Sequence, residues 1–128
     1  MKIYVASKWE EHDTVKKIMI ELEAAGHVIT CDWTDHKYPQ TDIQKELSRY
    51  AIDDINGVRN ADIVIVYALN TTYTYRGAIG EMTAAIALGK PVYLIGHSVD
   101  ECIFSNHPLV RRASSINEIL KQYENHQK

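Results

Sequence analysis

The chain has 128 residues, 45% of them hydrophobic, and carries 14 basic against 17 acidic side chains for a net charge of −3. That length and composition make a single domain over residues 1–128, large enough to bury a core without staples. Basic and acidic residues alternate along the chain, which excludes the electrostatic footprint of a nucleic-acid polymer or an anionic membrane as partner and leaves free nucleotides open.

In chain order, Ile3 to Ala6 reads as a buried strand, its apolar run too short for a signal peptide. Ser7 and Glu10 have the spacing of a capping box for a helix reaching Ala25, with Val15, Ile18 and Leu22 inward and Gly26 as its stop. His27 to Asp32 is the second strand. A loop through Trp33, His36 and Pro39 leads to a helix that carries Asp54, and beyond Gly57 to Ala61 comes the strand Ile63 to Val66. Residues 68–76, ALNTTYTYR, form a polar loop rich in tyrosine, followed by a helix from Gly77 to Gly89. Gly89 and Pro91 set up the strand Val92 to Ile95; a variable-looking segment runs to Arg112, and Ser115 with Glu118 opens the last helix.

Short uninterrupted apolar strands between helices indicate an α/β domain with a parallel sheet covered on both faces, whose ligands bind beyond the carboxyl ends of the strands. Ser7 to Trp9, Trp33 to His36 and Tyr67 to Arg76 then share one rim. No segment approaches membrane-spanning length, and a cytoplasmic location is expected. Cys31 and Cys102 are the only cysteines, in no metal-type spacing, and the six histidines are scattered, so free thiols, no metal and no cofactor are expected.

Two acids stand apart. Glu81 is the only charge in GAIGEMTAAIALG, with Gly77 and Gly80 letting backbone approach a ligand. Placed in the first turn, it would be kept ionised by the helix N-terminus, which suits a nucleophile better than an acid. The bland alternative is a carboxylate complementing the helix dipole, although Ala78 is no capping partner for it. Asp54 lies in phase with the apolar stripe Ile43, Leu47, Ala51 and Val58, while Asp53 turns to solvent. An acid facing a core needs a partner or a raised pKa, as a general acid does, unless it merely caps a neighbouring loop. Two such acids suggest glycosidic chemistry. The Glu81 helix, lined by Ala78, Ala84, Ala85 and Ala87, is apolar all round. It is expected to pack on a second copy in a homodimer or larger oligomer, the alternative being a roof supplied by the C-terminal helix of the same chain.

IYVASKW at 3–9, DINGVRNAD at 54–62 and RGAIGEMTAAIALGKPV at 76–92 together resemble the nucleoside 2-deoxyribosyltransferase family, including its relatives that hydrolyse deoxynucleoside monophosphates. The resemblance implies a flavodoxin-like (Rossmann-like) three-layer sandwich around a parallel sheet of about five strands. It implies that Glu81 attacks the anomeric carbon, Asp54 manages the proton on the departing base, and Tyr4 hydrogen-bonds and orients the glutamate. Breaking an N-glycosidic bond builds oxocarbenium character that a carboxylate traps, and the base leaves easily only when protonated. Trp9 would stack on a base, unless its indole covers a helix start and Tyr4 is core packing. Ser7, Lys8, Trp9, Tyr75, Arg76 and Gly77 are the expected substrate contacts. Lys8 and Arg76 are cations for a phosphate or carboxylate, or else solvated charge.

The chain also departs from the family. Tyr75 replaces the acid that transferases carry two positions before the small glycine for the sugar hydroxyl, and the phosphate-gripping serines are not evident. The expected function is cleavage of the N-glycosidic bond of a (2′-deoxy)nucleoside or nucleotide through a glycosyl-Glu81 intermediate, with transfer to a second base or to water. The alternative is a non-catalytic nucleotide-binding or signalling module on the same fold. A dinucleotide-binding domain is set aside because ASKW follows the first strand instead of GxGxxG. A phospho-acceptor receiver is set aside because Tyr67 ends the third strand.

Overall fold

A strand covered on both faces has no polar side to alternate with, and the three most apolar runs of the chain accordingly form the middle of the sheet. They are β1 (Lys2–Ala6), β3 (Ile63–Tyr67) and β4 (Val92–Ile95), with β2 (Val28–Ile29) and β5 (Val110–Ala113) at the two edges. In the computed structural model, which describes residues 1–127, the strand order is β2-β1-β3-β4-β5 and every pairing is parallel. Ile3 stands opposite Ile63, and Val64 opposite Val92. This is the flavodoxin-like α/β order, with helices on both sides of the sheet.

The helices are α1 (His12–Ala24), α2 (Ile43–Asn60), α3 (Arg76–Ala87) and α4 (Ile116–Gln127). Right-handed crossovers put α1 on one face and the mutually packed α2 and α3 on the other. Val15, Ile18, Met19 and Leu22 are the buried stripe of α1. The chain leaves β1 toward β2 on one side and β3 toward β4 on the other, so the crevice for a ligand opens at the carboxyl ends of β1 and β3. Among the described residues, no helix is long and apolar enough to cross a membrane.

Several expectations are corrected. The Ser7–Glu10 capping box does not form: a 3-10 turn over Trp9–Glu11 precedes α1, and the Ser7 hydroxyl instead donates to the Tyr67 carbonyl at 2.7 Å, tying the ends of β1 and β3 together. The second strand is two residues long, not six, because the chain turns inward after it. Trp33 is buried there, its indole donating to the Val5 carbonyl at 2.6 Å, while the Asp32 side chain accepts from the Thr34 amide at 3.0 Å. The apolar stripe on α2 is buried only near its end, at Val58; Ile43, Leu47 and Ala51 are exposed because the first half of the helix overhangs the sheet. The edge strand β5 lies in the segment read as variable. At α4 the Ser115 hydroxyl accepts from the Glu118 amide at 3.1 Å as expected, but the Glu118 carboxylate reaches Ser114 rather than Ser115.

Candidate active site

Two helices meet the middle of β1 at one point, Tyr4. Tyr4 points from β1 into the α2–α3 layer and its hydroxyl donates to the Glu81 carboxylate. Asp54 faces inward from α2 beside them, and Asp53 is exposed, as helical phase requires. The cluster closes around two residues that sequence reasoning did not single out. The Cys31 thiol donates to Asp54 Oδ1 at 3.5 Å, and His36 Nδ1 lies 4.0 Å from the same oxygen. Both are free of any motif; only the inward turn after β2 brings them to Asp54. Cys31 and Cys102 are both free thiols.

The electrostatics revise the expectation for Glu81. It is the sixth residue of α3, in the second turn rather than the first, where the helix dipole has faded. Removal from water pushes its pKa up to about 8, the Tyr4 hydrogen bond opposes that rise, and the nearby Asp54 charge adds to it. Burial therefore favours the protonated form of Glu81 over the ionised one. Burial also raises Asp54, with His36 pulling the other way. The Cys31 thiol is pushed up to about 12 by burial and then by Asp54, so it remains a donor. Tyr4 is raised by burial and then by Glu81, and likewise keeps its proton.

This has a measurable consequence for stability. Glu81 holds its proton to higher pH folded than unfolded, so its contribution is fully present below its ordinary 4.5 and is lost as pH rises through about 8. Glu81→Gln does not titrate, and its stability relative to wild type should rise between pH 5 and pH 9 by on the order of 3 kcal/mol. A difference in melting temperature between the two proteins that stays constant over that range would contradict the burial of this carboxyl.

Gly57 explains how the cluster fits together. A Cβ built there would lie 2.7 Å from Cys31 Cβ and 2.8 and 2.9 Å from two carbons of the Tyr4 ring, so only glycine lets α2 approach so closely. The Thr30 hydroxyl donates to the Gly57 carbonyl at 2.7 Å and pins that approach. Gly57→Ala is expected to lower stability by about 1–3 kcal/mol and to tilt Tyr4 off Glu81. Wild-type denaturation and an unshifted Tyr4 in a crystal structure of the variant would show the approach to be slack.

The other expected contacts divide. Beside His36 is an apolar cleft of about 570 Å³ lined by Trp9, Glu10, His36, Lys37, Tyr38, Leu47 and Tyr50. The imidazole of His36 stacks on Tyr50 at 4.0 Å, and the Trp9 indole donates to the His36 carbonyl. Trp9 also stacks on His12 at 4.2 Å, so it covers the start of α1 and borders the cleft at once. Lys8 Nζ lies 5.4 Å from the Tyr73 ring centroid; Arg76 is exposed, with no ion pair among the described residues, and a side chain at Gly77 would meet open space. Tyr75 is not presented to the cleft. Its ring is buried, and the hydroxyl of this expected substrate contact is committed to the Glu11 carboxylate and the Asn70 amide.

No protein-family model matches the chain, and no curated protein matches it. Among solved structures, the Clostridium botulinum CMP N-glycosidase BcmB superposes with a TM-score of 0.63 at 15% identity, over 98% of this chain and 99% of that one. The likeness is one of fold.

Proposed function

We propose that the protein cleaves the N-glycosidic bond of a nucleoside or nucleotide. Glu81 attacks the anomeric carbon, forming the C1′–O bond as the C1′–N bond breaks, and Asp54 delivers a proton to the departing base. A second base or water then takes the sugar from Glu81. The observation that carries this reading is the meeting of two partly buried carboxyls, Glu81 and Asp54, around the Tyr4 hydroxyl. A glycosidic mechanism needs one carboxylate to meet developing positive charge and another carboxyl to supply a proton, and the raised pKa of Asp54 suits the second task. Glu81 gives up its proton to solvent before it attacks, and the positive charge that develops on the sugar then stabilises the carboxylate.

His36 links this pair to the aromatic cleft. Being 4.0 Å from Asp54 and stacked on Tyr50, it adjoins both the proton donor and the surface on which Trp9, Tyr38 and Tyr50 would hold a planar base. The fold shared with a CMP N-glycosidase supports the same substrate class. The commitment of the Tyr75 hydroxyl to Glu11 favours a second reading, a nucleotide-binding module that does not turn over its ligand. Incubation with a panel of deoxyribo- and ribonucleosides and their monophosphates, with and without a second base, separates the two. Release of free base supports the enzyme; saturable binding without release supports the module.

The α2–α3 layer also supports a homodimer. Among the described residues α4 packs chiefly on β5, while Gly80 and Ala87 are exposed on α3, Leu88 at its end, and Ile52 and Ile55 on the neighbouring α2. A second copy across these small and apolar residues would place two sites beside one interface. Light scattering is expected to report a dimer or a multiple of it at micromolar concentration, with Ala84→Arg reducing the particle to monomers. A monomeric wild type would sink the dimer.

A further inference from the structure

Tyr75 occupies the left-handed region of backbone space, at φ 52° and ψ 40°, immediately before α3. For a bulky aromatic residue that is a genuine outlier, and such a conformation persists only where the surroundings hold it. What holds it lies at the far end of the buried ring. The hydroxyl donates to the Glu11 carboxylate and accepts from the Asn70 amide at 3.0 Å. Burial, and then the bond to Glu11, raise the phenol above its ordinary pKa, so it stays a donor.

Glu11 closes the turn that precedes α1, Asn70 is the third residue of the loop after β3, and Tyr75 ends that loop, so one phenol ties two points of the loop to the start of α1. The loop is gathered by side chains throughout. Asn70 Oδ1 accepts from the Thr72 amide at 2.9 Å, Tyr73 lies edge-on to Tyr75 at 5.9 Å, and Lys8 stands over Tyr73. Its first residue is still held by β4, the Ala68 amide donating to the Ile95 carbonyl at 2.9 Å, and beyond Ala68 no strand pairs with it among the described residues. A loop held in this way depends on a few polar bonds, of which the one to the Glu11 carboxylate is the strongest.

We infer that Tyr75 and Glu11 form a latch that holds loop 68–75 against the start of α1 and fixes the entry angle of α3, which makes Glu11 a positioning residue for Glu81. The left-handed Tyr75 sets the direction in which α3 leaves the loop, and Glu81 follows on the second turn of that helix. Glu11 thereby acts on the site from the start of α1, through Tyr75. The role in turnover rests on the function proposed above; the latch itself does not.

The test uses the free full-length protein and the variants Tyr75→Phe, Glu11→Ala and Glu11→Gln. Amide hydrogen exchange of the 68–75 segment is expected to accelerate at least about tenfold in Tyr75→Phe and Glu11→Ala. Glu11→Gln keeps an oxygen for the phenol and should change exchange by less than about threefold. Exchange in β1 and β3 should not move. With CMP and dCMP as substrates, the first two variants should lose kcat while KM stays near wild type, and Glu11→Gln should largely restore kcat. Unchanged exchange at 68–75 in both disrupting variants, or faster exchange spread evenly over the sheet, overturns the latch. A wild type inert on both nucleotides, with the exchange pattern intact, counts against the proposed reaction and for the latch.

Discussion

Glu81→Ala and Glu81→Gln are expected to lower base release by at least about 10³-fold while the protein remains folded. The glutamine is the stricter variant, because it keeps the shape of the side chain and a partner for the Tyr4 hydroxyl and loses only the nucleophilic oxygen. The carboxyl contributes nothing to packing that the amide cannot replace, and its burial costs stability above neutral pH, so the glutamine variant should melt no lower than wild type at pH 9. The check is a single-turnover measurement of free base beside a thermal melt. Wild-type rates in either variant would remove Glu81 from the reaction.

Asp54→Asn should divide substrates by their leaving groups. A base that departs poorly needs protonation in the transition state, and loss of the donor should cost about 10²–10⁴-fold, whereas a base already activated should lose less than about tenfold. His36 and Cys31 both contact Asp54, and the amide of the variant would preserve those contacts in part, so the fold is expected to tolerate the change. The measurement is kcat/KM across a series of bases of graded basicity, with Asp53→Asn as the control on the exposed side of α2. Equal losses along the series would assign Asp54 to structure.

Much of the architecture was legible from punctuation and apolar runs. Gly89 and Pro91 bracket the entry to β4, whose four residues match the expected strand, and the helical phase of α2 separates inward Asp54 from exposed Asp53. β5 was not legible, because VRRA carries two arginines where a buried strand has none. At an edge those charges are accommodated: Arg111 donates to the Tyr93 hydroxyl at 3.1 Å, and Arg112 pairs with Asp100 at 2.6 Å. The capping box at Ser7 failed for a related reason. Its hydroxyl satisfied a carbonyl on β3, a partner that is distant in the chain.

The site shows the same division. Glu81 and Asp54 stood out because each was a charge on an apolar pattern, and Tyr4 entered through resemblance. Cys31, His36 and Gly57 have no pattern of their own; they matter because the turn after β2 and the close approach of α2 place them against Tyr4 and Asp54. The protonation of Glu81 was misjudged because the dipole reasoning assumed a first-turn position, whereas the helix starts one residue before Gly77 and desolvation dominates five residues further on.

The most direct test of the central claim is to trap the sugar on Glu81. A 2′-deoxy-2′-fluoro nucleoside bearing a good leaving base destabilises the oxocarbenium-like transition states of both steps, so a covalent intermediate accumulates if one forms. Intact-protein mass spectrometry followed by peptide mapping should then show one fluorodeoxypentosyl unit on the peptide containing Glu81, absent from Glu81→Gln. Base release with no adduct, or an adduct on any other residue, would contradict attack by Glu81.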